Sequence, residues 1–268
     1  MKNSSSRSRV GRDAGLVHKG AAVRREEVVV ARFIPIVGNP HVEDSHIAIE
    51  RLSAALTMLG GQSLILDAAD SSPQASDAVI LDLASGIERL TPHVSYLAGR
   101  DLPMRYVDTH GSAARLLDEL ASQAGNARVI LVHAEASDLA RLFTGRSARP
   151  VLLAADQPES LKHAYAAWKH LVQRRGWLSG DLLLVTSAGR PRCTAIASSL
   201  GRCADSFMGA VLTDWASVHP GSAPTESPDA AITRLARGQL RIEEADRQLI
   251  LPQASPARDG SAVPFASH

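Results

Sequence analysis

The sequence predicts an α/β protein, an open, mostly parallel sheet with helices on both faces. Three observations carry this. Runs such as EVVVARFIPIV, ARVILVH and DLLLVTS are rich in Val, Ile and Leu, as strands buried on both sides are. Between them lie longer segments with apolar residues at helical spacing. The two kinds alternate, and strands separated by helices pair in parallel through right-handed crossovers.

The first strand is read over residues 27–37. Over 47–59, Ala48, Leu52, Ala55, Leu56 and Leu59 fall on one helical face, and Gly60 and Gly61 end that helix. SLIL (63–66) is a second strand, ending at Asp67. Over 72–122 the pattern predicts helices at 75–90 and 110–122 around short strands near 94–98 and 104–107. A strand at 127–133, a helix at 137–143 and a strand at 149–155 follow. In 156–176, Pro158 suits a first helical turn and Glu159 suits its positive end. Arg174 and Arg175 suit the C-terminus, and Gly176 the cap. Leu161, Ala164, Tyr165, Trp168, Leu171 and Val172 form its apolar stripe. The remaining elements are a strand at 181–187, a helix at 191–204, a strand at 206–213 and a helix from Asp229.

The 268 residues suffice for one large α/β domain, expected over 26–250. Residues 1–25 are polar and rich in Arg and Ser and read as a disordered arm. Residues 251–268 read as a disordered tail. A net charge of +1 gives no general attraction to nucleic acid or to anionic membrane. Cys193 and Cys203 form no CxxC pair, so neither a disulfide framework nor a zinc knuckle is expected. No apolar stretch reaches the roughly 18–20 residues of a membrane span, and no apolar segment follows the basic N-terminus. A cytoplasmic protein is expected, at most peripheral to a membrane.

Several local patterns, in order, resemble the MinD/ParA family of P-loop ATPases, and within it the flagellar number regulators (FlhG/FleN). The resemblance covers roughly residues 28–240. RLSAALTMLGGQSLILDAAD (51–70) is similar to the family's helix, glycine and strand ending in Asp. Counting back puts the family's GKGGVGKT loop on Asn39, Pro40, His41, Val42, Glu43, Asp44, Ser45 and His46. The family's DTxAG switch falls on His133-Ala134-Glu135-Ala136-Ser137. DQPESLKHAYA (156–166) is similar to the PEPTSxxDAYA helix of the flagellar members, and this is the most specific match. FMGAVLTDWASVHP (207–220) sits where the family has its LGxIPxDxxV strand and turn. The resemblance implies a three-layer α/β/α P-loop NTPase fold.

The departures are chemical. None of the eight loop positions is glycine or lysine. Ser45 stands at the phosphate lysine, His46 at the Mg²⁺-binding hydroxyl, Pro40 at the signature lysine and His133 at the switch Asp. Only Asp67 remains of the implied magnesium and water-positioning set. A P-loop holds phosphate with inward backbone N–H groups, which glycines permit, and with the charge of Lys. Pro40 removes an N–H, Val42 stiffens the loop, and Glu43 and Asp44 repel a triphosphate while suiting a helix N-terminus. No cofactor is therefore expected, with ATP and Mg²⁺ as the alternative.

Other candidates are weaker. His41 and His46 are five apart and do not share a helix face as an HExxH metal pair does. His133 and Glu135 have the residue types of a general base and its partner, but no nucleophile motif such as GxSxG accompanies them. Asp67 suits a cation, a ribose or simply a turn. No catalytic residue and no metal site is expected. Lys162, Lys169 and Arg174 give the 158–175 helix a basic side, the candidate partner surface. RDAGLVH (12–18) only faintly resembles the DQAxxLR segment of flagellar members, and 226–247 is expected to pack on the domain rather than enter a bilayer. The resemblance implies a nucleotide-silent regulator of flagellar biosynthesis or placement, antiactivator-like. Its expected partner is a transcription activator, an SRP-like GTPase or a basal-body component, with no nucleic acid. The alternatives are an active or atypical ATPase and an accessory protein of cellulose or envelope secretion.

Overall fold

The computed structural model describes residues 31–223 and 226–250. The expected arm at 1–25, with its 12–18 segment, and the expected tail at 251–268 lie outside them. The strands are β1 (Arg32–Val37), β2 (Ser63–Asp67), β3 (Glu88–Thr91), β4 (Val94–Ala98), β5 (Val129–Ala134), β6 (Val151–Ala154), β7 (Ser179–Val185) and β8 (Val211–Val218). The α-helices are α1 (Ser45–Met58), α2 (Asp77–Leu81), α3 (Leu102–Arg105), α4 (Ala114–Gln123), α5 (Ala136–Leu142), α6 (Pro158–Arg175), α7 (Arg190–Met208) and α8 (Ala230–Ile250). The strands form one sheet in the order β3-β4-β2-β5-β1-β6-β7-β8. Every pairing is parallel except β3 with β4.

Alternate residues of the strands other than β3 feed two cores. On one face Leu64, Leu66, Ile130, Val132, Leu182 and Leu184 meet α4, α5, α6 and α7. On the other, Ile34, Ile36, Ile65, Leu131, Leu153 and Leu183 meet α1 and α8. The three-layer α/β/α architecture is the predicted one. Helix α8 contributes Ile232, Leu235 and Ala236 to the second core, with Ala231 and Leu240 against it, so the 226–247 segment packs on the domain through these residues. No helix of the described residues is long and apolar enough to cross a membrane.

Helix α6 follows its sequence signals. Pro158 occupies its first turn, and Gly176 caps it in the left-handed conformation at φ 71°. Trp168 is fully buried and donates its indole N–H to the Trp177 carbonyl at 3.1 Å. A Cβ at Gly180 on β7 would lie 3.0 Å from the Trp168 ring, so the strand needs glycine where the indole crosses it. Tyr165, expected in the core, is only half-buried.

Three expected elements differ. The helix predicted at 75–90 is instead α2, a short 3₁₀ turn at Leu83–Gly86 and the edge strand β3. Ser76 and Asp82 each accept a backbone N–H at the start of these turns, which divides the stretch. The strand expected near 104–107 is the short helix α3, entered through Asp101 at φ 67°. The strand expected at 206–213 begins at Val211, because α7 continues to Met208 and Gly209 caps it at φ 60°.

Candidate functional site

Ligands of an open parallel sheet bind beyond the carboxyl ends of its strands. Here that rim is built by the loop after β1 and by the ends of β2 and β5. Gly38 donates its N–H to the Ala134 carbonyl at 2.9 Å, which directs the loop across β5. Asn39 then turns inward and is only 6% exposed. Its amide nitrogen donates to the Leu153 carbonyl at 2.9 Å and lies 3.0 and 3.1 Å from the carbonyl and hydroxyl oxygens of Ser160. The Ser160 hydroxyl in turn accepts the Ala155 N–H at 2.8 Å. The loop is thus tied to β6 and to the first turn of α6.

The rest of the loop folds on itself. His41 donates its N–H to the Asn39 side-chain oxygen at 3.1 Å, and Val42 donates to the Asn39 carbonyl at 3.0 Å. Pro40 has no N–H to offer. The Val42 side chain is buried against the α1 core. Glu43 is exposed. Asp44 stands at the N-cap of α1 but its side chain makes no capping bond. Ser45 opens α1, and His46 is exposed on its first turn. The expected capping contribution of Asp44 is therefore missing, and only the helix dipole favours these carboxylates.

A triphosphate requires inward N–H groups and positive charge. In this loop the Gly38, His41 and Val42 N–H groups are already engaged, Pro40 lacks one, no Lys or Arg is present, and Glu43 and Asp44 place two carboxylates before α1. These residues do not fit the nucleotide that such a fold implies.

The His41 ring stands edge-on to His163 of α6, with centroids 5.9 Å apart. Burial lowers the His163 pKa, and the neighbouring His41 lowers it further, against a hydrogen bond at the Gly38 backbone. No group of three or more His, Cys, Asp or Glu among the described residues is placed to hold a metal ion.

Asp67 and His133 meet at this rim. Their strands are neighbours in the sheet and the two residues are in register. His133 Nδ1 lies 2.6 Å from Asp67 Oδ1. A carboxylate only accepts, so Nδ1 carries the proton. Ser72 donates its hydroxyl to the same oxygen, and Tyr96 donates to Oδ2 at 3.1 Å. Burial alone would raise the Asp67 pKa. The hydrogen bond and charge of His133, with the two hydroxyls, outweigh it and hold the carboxyl below its usual range. Burial and the Asp67 carboxylate push the Tyr96 phenol up.

His133 is 2% exposed, and its Nε2 is enclosed without a hydrogen-bond partner among the described residues. The pair acts as a brace between β2 and β5, and Asp67 has its oxygens committed to side chains. Glu135, whose residue type would suit the partner of a general base, is not bonded to His133; the bond goes to Asp67. Glu135 instead lies against Gly38, where an added Cβ would sit 2.7 Å from Glu135 Oε1. Burial raises the Glu135 pKa, Asp70 adds to this, and His133 opposes it.

On the basic side of α6, Lys162, Lys169 and Arg174 are all exposed, as expected. Beside Lys162 an open groove of about 420 Å³ runs between α6 and α7. Leu161 and Tyr165 of α6, and Ile196, Leu200 and Phe207 of α7, line it. This groove escaped the sequence reading, although Ile196, Leu200, Cys203 and Phe207 are spaced as one helical stripe. A second missed feature is Arg51 of α1, buried, with its guanidinium donating to the Ala223, Glu226 and Ser227 carbonyls.

Sheet order and layers together are those of a P-loop NTPase fold of the MinD/ParA type. Among solved structures of this fold is the cobyrinic acid a,c-diamide synthase of Mycobacterium smegmatis with bound ATP analogue and magnesium. It has TM-score 0.56 and 16% identity over 85% of this chain and 100% of that one. The MinD cell division protein of Aquifex aeolicus has TM-score 0.50 and 13% identity, over 88% and 100%. A ParA family ATPase of Chlorobium tepidum TLS has TM-score 0.50 and 12% identity, over 78% and 98%. At these identities the likeness is one of fold. No protein-family model and no curated protein matches the sequence.

Proposed function

We propose that this chain is a nucleotide-silent member of the MinD/ParA family that regulates flagellar biosynthesis or placement by binding another protein. One observation carries the silent part. The loop carries no Lys or Arg, its Asn39 amide is tied to Leu153 and Ser160, and the His41 and Val42 N–H groups are bonded back to Asn39. The flagellar part rests on the resemblance of residues 156–166 to the flagellar members. Fold alone selects no role, since the solved neighbours include a cell division protein and a diamide synthase. The cytoplasmic partner classes are a transcription activator, an SRP-like GTPase and a basal-body component. They would be engaged through the exposed face of α6.

The test has two arms. Calorimetric titration of the full chain with Mg-ATP, beside a phosphate-release assay, should give neither heat nor product. A dissociation constant tighter than about 100 μM, near 5.5 kcal/mol, would overturn the silent reading and favour a working ATP and magnesium site, the diamide synthase having been solved with a bound ATP analogue and magnesium. Deleting the gene should change the number or position of flagella. An unchanged count overturns the flagellar assignment.

A further inference from the structure

A second cavity lies at the opposite end of the strands from the rim, where β6, β7 and β8 begin. It holds about 600 Å³, within the roughly 300–1,000 Å³ of small-molecule sites. Three stretches build it: 147–149 before β6, 175–179 at the turn from α6 to β7, and Gly209 with Val211 after α7. Val211 donates its N–H to the Leu178 carbonyl at 2.7 Å, and Asp181 donates to the Pro150 carbonyl at 2.9 Å, so the three stretches are tied to one another.

The wall of this cavity is rich in donors. Arg175, on the last turn of α6, is half-buried and has no carboxylate partner among the described residues. Its Nε is enclosed without an acceptor, and so is the indole N–H of Trp177, a residue only 4% exposed. Nearly every buried donor in a protein finds an acceptor, so two without one on the wall of a single cavity point to acceptors from outside the chain. The indole is held firmly. Its ring meets Phe143 edge-on, with centroids 5.3 Å apart, and the Trp177 carbonyl accepts the Trp168 N–H. Ser147 and Ser179 add exposed hydroxyls. Arg149 adds a second guanidinium, with its Nε already on Asp181 at 3.0 Å. No Asp or Glu of the described residues lines the cavity. Gly176 and Gly209 end α6 and α7 here, and each helix end carries about half a negative charge. These ends offset the charge of Arg175 at a distance. Selection then falls to the planar guanidinium at contact, where it takes two carboxylate or phosphate oxygens at once. Leu178 and Val211, 50% and 58% exposed, give the cavity an apolar side.

From this wall we infer that the cavity binds a small organic anion, an oxyanion head on a compact apolar body. The head, a carboxylate or a phosphate, takes the Arg175 guanidinium and the Trp177 N–H, with the Ser147 and Ser179 hydroxyls beside it. Both unpartnered donors lie behind the cavity surface, so seating the head draws the Arg175 side chain outward and opens the way to the indole. The body rests on Leu178 and Val211. The site is separate from the rim of the sheet and from the exposed face of α6, and it does not depend on the function proposed above.

The indole N–H reports the binding directly. The chain has three tryptophans, and the Trp177 signal in a ¹⁵N–¹H correlation spectrum of the full chain is the indole peak lost in Trp177→Phe. The full chain is titrated at constant ionic strength with phenyl phosphate, benzoate and inorganic phosphate, and with benzyl alcohol as the neutral control. A hydrogen bond to an oxyanion deshields the donor proton, so the Trp177 signal should move downfield and saturate below about 10 mM phenyl phosphate or benzoate. The tighter of the two names the head. The Trp215 signal should stay in place. Arg175→Gln should weaken binding at least about tenfold, with circular dichroism unchanged. Leu178→Ser should reduce the preference for phenyl phosphate over inorganic phosphate, because it removes part of the apolar side. No saturable shift at Trp177, an equal response to benzyl alcohol, or an unchanged affinity in Arg175→Gln would overturn the inference.

Discussion

Asp181 on β7 is fully buried, and its two oxygens are treated unequally. Arg149 and Gln239 both donate to Oδ2, at 3.0 and 2.9 Å. Oδ1 is enclosed without a partner among the described residues. Burial pushes the carboxyl up to about 6 against the pull of Arg149 and Gln239, and Asp214 adds to the rise. An unfolded Asp titrates near 3.9. Between these values the folded state holds a proton that the unfolded state has released, so stability falls as pH rises. Two pKa units correspond to about 3 kcal/mol, of which about 2 kcal/mol falls between pH 4.5 and 7.5. Asp181→Asn keeps the shape and removes the titration, while the altered contact with Arg149 adds an offset that does not depend on Asp181 ionisation. Urea unfolding of both proteins at pH 4.5, 5.5, 6.5 and 7.5 isolates the effect. The variant should gain about 2 kcal/mol relative to the native chain across that range. Parallel stability curves would refute the reasoning and place the Asp181 ionisation where an ordinary exposed carboxyl has it.

Two further outcomes follow from the rim. Asn39→Ala removes the donor to Leu153 and Ser160 and should cost about 1–3 kcal/mol by urea unfolding, because buried acceptors lose their partner; a neutral substitution would mean the loop is not held by this amide. Asp67→Ala leaves His133 buried with neither ring nitrogen partnered and should cost a comparable amount at pH 7. Since the Asp67 pKa is held down, the native pair's contribution is present at neutral pH and erodes as pH falls below about 4, so the difference between native and variant should shrink in acid. A difference that grows in acid would contradict the pairing.

Much of the fold was legible because its signals are local. The buried strands β1, β5 and β7 are short runs of branched residues, and α6 has Pro158 at its start and Gly176 at its end. The miss at β3 has a physical cause. All four of its residues, Glu88 to Thr91, are exposed, so no alternation of apolar and polar positions marks the strand. At α7 the signal was present and misread, for Gly209 is a helix cap rather than a residue inside a strand. The candidate site was legible as two separate residues. Asp67 and His133 lie 66 positions apart, and only the adjacency of β2 and β5 joins them. The groove needs the relative placement of α6 and α7, which no single helix encodes.

Asn39 bears on timing as well as on stability. Its amide fastens the loop after β1 to Ser160, one residue before Leu161 at the mouth of the groove. In a protein whose loop opens and closes around a ligand, such a connection would transmit the movement to α6. Here the loop is held by Asn39 on Leu153 and Ser160. A partner arriving at α6 would meet the same surface at every encounter, with no preceding isomerisation and no fraction of competent molecules to divide the affinity. Occupancy would then follow mass action alone, and a cell would set the output through synthesis and degradation of the two proteins.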